Sequence, residues 1–167
     1  MTIQVKRLVP MGAEIVGADA DVLLHDESIP LTVLEALEEH GVLVFPSLGL
    51  SDEEQVAFAR RLGEIAMGTG SKGYGRSAEM PEVYHVGFSK DLNNEVQVRG
   101  AFDWHLDGST DPVPSMASLL SGRSLAAVGG DTQFVSTYDA YERLTTADKD
   151  LVSELRAEHS IEAAYRR

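Results

Sequence analysis

The stretch Phe102-Asp-Trp-His-Leu-Asp-Gly108 carries the most informative pattern in this sequence. In a β-strand, residues two apart point to the same face, so His105 and Asp107 can offer an imidazole nitrogen and a carboxylate oxygen to one metal ion. A surface ion pair, or a buried histidine with a satisfied hydrogen bond, is the alternative interpretation of the same pattern. The surrounding sequence has to decide between them.

Two ligands do not make a metal site. A non-haem Fe(II) oxygenase holds its iron with two histidines and one carboxylate on one face, which leaves the opposite face open. His105 and Asp107 supply one donor of each kind, so this interpretation requires a second imidazole from elsewhere.

Composition narrows the possible partners. The 167 residues include 14 basic and 27 acidic side chains, a net charge of −13, which disfavours nucleic acid and anionic membranes as partners. The sequence has no cysteine, so it has no disulfide, no thiolate metal site and no cysteine nucleophile, and a reducing cytoplasm is the expected compartment. The apolar runs, such as Val42 to Phe45, have only strand length, so no membrane span is expected.

The first seventy residues alternate between strand and helix patterns. Three leucines at helical spacing follow Pro30, and Gly41 is the expected end of that helix. Ser51 with Glu54 forms a capping box for a second helix, which extends through Leu62. The expected strands are Thr2 to Leu8, Ala13 to Val16 and Val42 to Phe45; the helical leucines are Leu31, Leu34 and Leu37.

Residues 67–81 are rich in glycine and predict a loop, which could serve as a lid. The string Gly68-Thr-Gly-Ser-Lys-Gly73 satisfies the GxGxxG pattern of dinucleotide-binding folds. That pattern has to follow a strand and open a helix, whereas here it follows a helix end and leads into further glycines. A flexible loop is therefore the preferred interpretation.

From Glu82 onward the pattern changes to short strands separated by Gly, Pro, Asn and Asp, which is typical of a sandwich or jelly roll. The expected strands are Glu82 to Phe88, Glu95 to Arg99, Met116 to Ser121 and Thr132 to Val135. Two helices are expected to follow, Ser136 to Leu144 and Thr146 to about His159.

Several spaced blocks closely resemble the TauD/TfdA (taurine dioxygenase-like) family of Fe(II)- and 2-oxoglutarate-dependent dioxygenases. The blocks that follow the Gly-rich loop are Trp104-His-Leu-Asp-Gly-Ser109, Pro112-Val-Pro114, Ala117-Ser-Leu-Leu120, Gly129-Gly-Asp-Thr132 and Tyr138-Asp-Ala-Tyr141-Glu-Arg-Leu144. The blocks that precede it are Gly12-Ala-Glu-Ile-Val-Gly17, Glu39-His-Gly-Val-Leu-Val-Phe-Pro46 and Gln55-Val-Ala-Phe-Ala-Arg-Arg-Leu-Gly63. The resemblance covers nearly the whole chain.

The resemblance implies a set of site residues. His105 and Asp107 match the first two iron ligands, and Thr132 matches the threonine whose hydroxyl contacts a carboxylate of 2-oxoglutarate. The family also has a distal histidine ligand and an arginine that pairs with the far carboxylate of the cosubstrate. His159 lies 52 residues beyond Asp107, a separation that a permissive pattern for the distal ligand accepts. The preferred interpretation is that Leu155-Arg-Ala-Glu-His159 matches a block upstream of the distal ligand, so that the distal histidine and the arginine are both absent from this sequence.

Two further side chains near the candidate ligands have alternative interpretations. His85, in a strand-like stretch, could touch the substrate, although a packed core histidine is the preferred interpretation. Trp104 is expected to belong to the core, where large aromatic side chains beside a ligand strand wall the pocket by packing.

The resemblance implies an α+β, mainly β fold, a double-stranded β-helix (jelly roll) with flanking helices, and residues 1–167 would form a single, partial domain. The implied activity is hydroxylation of a small, organic, anionic substrate with O2 and 2-oxoglutarate, releasing succinate and CO2. The alternative is a truncated, inactive family member that acts only in binding or assembly. Because a partial jelly roll exposes strand edges and an apolar face, a homo-oligomer is expected.

Overall fold

The computed structural model describes residues 3–67, 77, 79–87 and 102–160 of the chain. These residues belong to two compact units. The first unit comprises residues 1–50 and 121–157, and the second comprises residues 51–120 and 158–167. The Gly68–Gly73 string, most of the expected 67–81 loop and the expected Glu95–Arg99 strand lie outside the described residues.

The first unit contains a three-stranded sheet in the order β1-β2-β3. The strands are β1 (Gln4–Arg7), β2 (Ala13–Val16) and β3 (Leu43–Val44). β1 pairs with β2 antiparallel, whereas β2 pairs with β3 parallel. Ala13 and Ile15 are buried and their neighbours are half-buried, as alternation along a strand requires. The three predicted strands are confirmed, with shorter bounds for the first and third.

Two helices of the first unit lie between β2 and β3. They are α1 (Ala20–His25) and α2 (Ile29–His40). The sequence pattern did not predict α1, although Asp19 caps it by accepting a hydrogen bond from the Val22 N–H at 2.8 Å. α2 ends as predicted at Gly41, whose φ of 73° is left-handed and whose N–H donates to the Leu37 carbonyl.

The helical spacing of the leucines after Pro30 is confirmed, because all three lie within α2. The buried face of this helix consists of other residues, Ile29, Val33 and Ala36, at the spacing of one helical face. Leu31 is 64% exposed.

The second unit contains helix α3 (Asp52–Leu62), with Val56 and Phe58 buried. Its predicted bounds and its capping box are confirmed. The Ser51 hydroxyl accepts from the Glu54 N–H at 3.2 Å, and the Ser51 N–H donates to the Glu54 carboxylate at 2.8 Å. This reciprocal pair satisfies two backbone groups that a helix start otherwise leaves without a partner.

Three of the expected strands that follow α3 are not formed within the described residues. Residues 116–121 and 132–135 contain no strand, and in 82–87 only Tyr84 makes an isolated β-bridge. An extended segment becomes a strand only when another strand receives its N–H and C=O groups. The described part of the chain provides no such neighbour for these segments.

The last two described helices belong to the first unit. They are α4 (Thr137–Glu142) and α5 (Thr146–Ser153). Both begin as predicted, with hydroxyl caps from Ser136 and Thr145. The predicted end of α5 at His159 is wrong, because the helix stops at Ser153.

Within the described residues, the buried apolar side chains of both units lie between Ile3 and Phe58 in the sequence. Residues 102–160 contain no buried side chain, and Trp104, expected in the core, is 67% exposed. Large apolar side chains in this range that are more than half exposed include Phe102, Leu106, Val113, Met116, Leu120, Leu125, Val128 and Phe134. Such exposure is typical of an incomplete domain rather than of a finished monomer. No described helix is long and apolar enough to cross a membrane.

Removing the cap of α3 should destabilise the protein. Ser51→Ala deletes the hydroxyl that accepts from the Glu54 N–H, so we expect a loss of about 1 kcal/mol of stability, seen as a lower urea midpoint when both proteins are compared at the same concentration. Ser28→Ala is the matched control, because Ser28 precedes α2 but its hydroxyl donates to Asp26 instead of capping the helix. Equal losses for both variants would contradict the capping role.

The exposed apolar side chains predict self-association. We expect the isolated 167-residue chain to elute as an oligomer in size-exclusion chromatography with light scattering, because burying apolar surface against another copy is favourable. A monodisperse monomer with one cooperative unfolding transition would contradict this prediction.

Candidate metal site

His105 and Asp107 lie close together in the second unit. The distance between His105 Nε2 and Asp107 Oδ1 is 3.4 Å, and the two side chains are 53% and 63% exposed. The segment 104–106 has no regular secondary structure and is not part of a sheet, and a turn begins at Asp107. The predicted proximity therefore holds, although the strand that was expected to produce it is absent from the described residues.

A local turn holds the carboxylate in place. Gly108 follows Asp107 with a φ of +67°, and the Asp111 N–H donates to the Gly108 carbonyl at 2.9 Å. A residue with a side chain rarely adopts this left-handed conformation, so glycine is the residue that lets the chain reverse directly after the ligand. The turn thus depends on the sequence and not on a neighbouring strand.

One hydrogen bond determines which nitrogen of His105 is available. The Nδ1 atom lies 2.7 Å from the backbone carbonyl of Asp103. A carbonyl only accepts, so Nδ1 carries the proton, and in the neutral ring Nε2 has a free lone pair. Histidines that ligate metals commonly donate their second N–H in this way. The nitrogen free to ligate is the one that faces Asp107.

The second carboxylate oxygen of Asp107 has its own partner. The Ser118 hydroxyl donates to Oδ2 at 2.8 Å, which leaves Oδ1 facing the imidazole. The sequence analysis missed this role of Ser118. The residue stood within one of the family-like blocks, but no spacing rule links it to a carboxylate eleven residues earlier.

The two donor atoms fit one divalent cation. Donors about 2.1 Å from an octahedral metal and at right angles to each other are about 3 Å apart, close to the observed 3.4 Å. The stretch 102–111 contains three aspartates and neither lysine nor arginine, so the local charge favours a cation. An imidazole and a carboxylate are also suitable ligands for Fe(II).

A third protein ligand is not found in the described part of the chain. Among those residues, no group of three or more His, Asp and Glu side chains is arranged to hold a metal ion. His159, weighed above as a third ligand, is exposed and lies beyond the end of α5. The described residues therefore offer one imidazole and one carboxylate at this place, whereas the facial arrangement requires three ligands.

His85 is neither buried nor isolated. Its side chain is 48% exposed, and its Nε2 atom lies 3.3 Å from Oδ2 of Asp52, the first residue of α3. The preferred interpretation of His85 as a packed core residue is thus wrong. This contact connects the segment around Tyr84 to the start of α3 and leaves the imidazole accessible to solvent.

Thr132 belongs to the first unit. It is exposed and lies in a segment without regular secondary structure between Gly130 and Ser136, the cap of α4. Gly129 and Gly130, shortly before it, both have left-handed φ values, 76° and 79°, which residues with a side chain rarely adopt. Because Thr132 is exposed, its hydroxyl is accessible, as a role in ligand binding would require.

Comparison with known proteins gives a consistent result. The model of the family "Taurine catabolism dioxygenase TauD, TfdA family" matches residues 4–167. The chain is 30% identical over 143 residues to an (S)-phenoxypropionate/alpha-ketoglutarate-dioxygenase of Sphingobium herbicidovorans, covering 81% of this chain and 46% of the relative. It is 31% identical over 157 residues to an alpha-ketoglutarate-dependent sulfate ester dioxygenase of Pseudomonas putida, covering 93% of this chain and 48% of the relative.

A solved structure agrees with the family match. The crystal structure of AAD-2 in complex with Mn(II) and N-oxalylglycine superposes with a TM-score of 0.72 at 26% identity, covering 98% of this chain and 54% of that one. The chain thus spans about half the length of the proteins that it matches.

His85 and His105 should have opposite tautomers. When the rings are neutral, we expect His105 to carry its proton on Nδ1, facing the Asp103 carbonyl, and His85 to carry it on Nε2, facing the Asp52 carboxylate. Long-range proton–nitrogen NMR spectra of the 15N-histidine-labelled chain distinguish the two forms. A His105 ring protonated on Nε2 would contradict the site geometry.

Proposed function

We propose, because this chain belongs to the TauD/TfdA family of dioxygenases, that it forms the first part of an Fe(II)- and 2-oxoglutarate-dependent dioxygenase acting on a small organic anion. The observation that carries the proposal is the pair His105 Nε2 and Asp107 Oδ1, 3.4 Å apart. Family membership makes a metal chelate a better explanation of this pair than a surface ion pair, which would contribute little to stability.

In this proposal His105 and Asp107 hold Fe(II), and a histidine outside this sequence completes the set of ligands. When bound, the iron supplies the oxidising chemistry that couples decarboxylation of 2-oxoglutarate to substrate hydroxylation, with succinate and CO2 as products. The task of the chain is to orient the donor atoms. The Asp103 carbonyl keeps the His105 lone pair on Nε2, and the Gly108 turn keeps Asp107 beside it.

The hydroxyl of Thr132 is proposed to donate a hydrogen bond to a carboxylate of 2-oxoglutarate. Support comes from its exposed position after the Gly129–Gly130 step and from the match of its block to the family. An arginine that meets the other carboxylate would come from outside this sequence, like the distal histidine.

The substrate is proposed to be a small anion. The relatives are named for phenoxypropionate and sulfate esters, which carry carboxylate and sulfate groups. A chain with a net charge of −13 repels anions at long range, so recognition has to come from local donors. His85 is proposed as one of them, since its half-exposed imidazole is already held in place by Asp52.

The proposed complete fold is a jelly roll. Residues 116–121 and 132–135 would become strands when the remaining part of the domain pairs with them. Support comes from the exposed apolar side chains in this range, which need a cover, and from the length of the matched proteins. The cysteine-free composition suits a reducing cytoplasm as the compartment.

A second candidate function is binding or assembly without catalysis. It is favoured by one observation, that the described residues offer only two ligands at the candidate site. In that case the exposed apolar side chains would serve as an interface and the His105–Asp107 pair would have no metal.

An anaerobic binding experiment separates the two functions. Fe(II) and 2-oxoglutarate added without oxygen to the protein, in the form its gene encodes, should give a weak visible absorption band that Asp107→Ala and His105→Ala abolish. His159→Ala is the matched control and should keep the band, since His159 lies apart from the donor pair in sequence and joins no ligand group within the described residues. Absence of the band in the unchanged protein would overturn the dioxygenase proposal and favour the second function.

A further inference from the structure

We propose that Ser118 is a positioning residue, which selects Oδ1 of Asp107 as the single carboxylate oxygen that ligates the metal. The inference rests on the proposed function, since it concerns the same site. Its basis is the hydrogen bond from the Ser118 hydroxyl to Asp107 Oδ2, 2.8 Å long, on the side away from the imidazole.

A free aspartate does not distinguish its two oxygens. Rotation about the last side-chain bond is broad and roughly two-fold, so either oxygen can face His105. A hydroxyl donor on one side removes this equivalence, because only the orientation with Oδ2 towards Ser118 makes the 2.8 Å bond. Hydrogen bonds to a charged acceptor contribute more than neutral ones, so this orientation of the carboxylate is favoured.

The two donor atoms of the site are therefore each fixed by one neighbour. Asp103 fixes the imidazole through its backbone carbonyl, a group that every residue has. Ser118 fixes the carboxylate through a side-chain hydroxyl, which a substitution can remove. The orientation of the Asp107 carboxylate therefore depends on which amino acid occupies position 118.

Ser118 is itself tied to the body of the second unit. The side-chain amide of Gln55, on helix α3, donates to the carbonyl of Leu119 at 3.2 Å. This bond fixes the backbone directly after Ser118, so an exposed segment without regular structure still holds the hydroxyl in position. Helix α3, Leu119, Ser118 and Asp107 form one continuous series of contacts.

Selecting one oxygen has a chemical consequence. A carboxylate that binds through both oxygens occupies two positions on a metal, whereas one that binds through a single oxygen occupies one. Oxygen-activating sites of the facial type need open positions for the cosubstrate and O2. By engaging Oδ2, Ser118 keeps Asp107 to one position and leaves the others open.

The test measures affinity for Mn(II), a redox-stable probe, by the EPR signal of the free ion in titrations of the unchanged chain and its variants. We expect Ser118→Ala to weaken Mn(II) binding about tenfold, as loss of a hydrogen bond to a ligand typically does. Ser118→Thr keeps the hydroxyl and should restore the affinity to within about threefold, because a threonine hydroxyl makes the same kind of bond.

The matched control is Ser115→Ala, which removes a hydroxyl from the same segment. Within the described residues that hydroxyl makes no hydrogen bond to Asp107, so Mn(II) affinity should not change. Far-UV circular dichroism of every variant shows whether the fold is kept. A fold lost in Ser118→Ala and kept in Ser118→Thr, with full Mn(II) affinity in the latter, still supports the role of the hydroxyl.

The remaining outcomes separate this inference from the proposed function. Mn(II) binding that Asp107→Ala abolishes but Ser118→Ala leaves unchanged overturns the positioning role alone. Equal affinity of the unchanged chain and Asp107→Ala overturns the metal site itself, and with it the proposed function. A Ser118→Thr variant as weak as folded Ser118→Ala also overturns the inference, because the hydroxyl would then have no part in binding.

Discussion

The backbone N–H and C=O groups of an extended chain need a neighbouring strand, and this requirement divides the protein into two kinds of structure. Near the N-terminus, strands β1, β2 and β3 satisfy this requirement by pairing with one another. Together with helices α1 and α2 they contain buried side chains such as Ile15 and Leu23. Residues 102–136 do not meet it within the described residues, and they form turns and segments without regular secondary structure, with exposed apolar side chains.

The candidate site lies in the second kind of structure, yet its donor atoms are ordered relative to each other. Local interactions account for this. The turn at Gly108 holds Asp107 beside His105, and the Asp103 carbonyl orients the His105 ring by accepting a hydrogen bond from Nδ1. Ser118 adds one contact from further along the chain. A site built in this way can keep its chelating geometry before the surrounding sheet is complete, while a third ligand has to come from beyond the described residues.

The sequence predicted features that depend on neighbouring residues. Helix α3 has the predicted bounds because Ser51 and Glu54 form a capping box within one turn, and the proximity of His105 and Asp107 follows from a separation of two residues. Features that depend on distant partners were predicted poorly. The strand at 116–121 lacks a partner among the described residues, and the bond from Ser118 to Asp107 crosses eleven positions without any periodic signal. The leucine spacing predicted α2 but not its buried face, which consists of Ile29, Val33 and Ala36, because spacing alone does not show which side the core occupies.

The central claim is that His105 and Asp107 bind one metal ion, with the imidazole joined through nitrogen. Pulsed EPR of the Mn(II)-loaded protein, in the form its gene encodes, measures this bond directly, since a coordinated imidazole gives a nitrogen hyperfine coupling. The account predicts that 15N labelling of histidine changes the coupling, and that His105→Ala removes the contribution of that one nitrogen while His85→Ala does not. An unchanged nitrogen coupling in His105→Ala would contradict it.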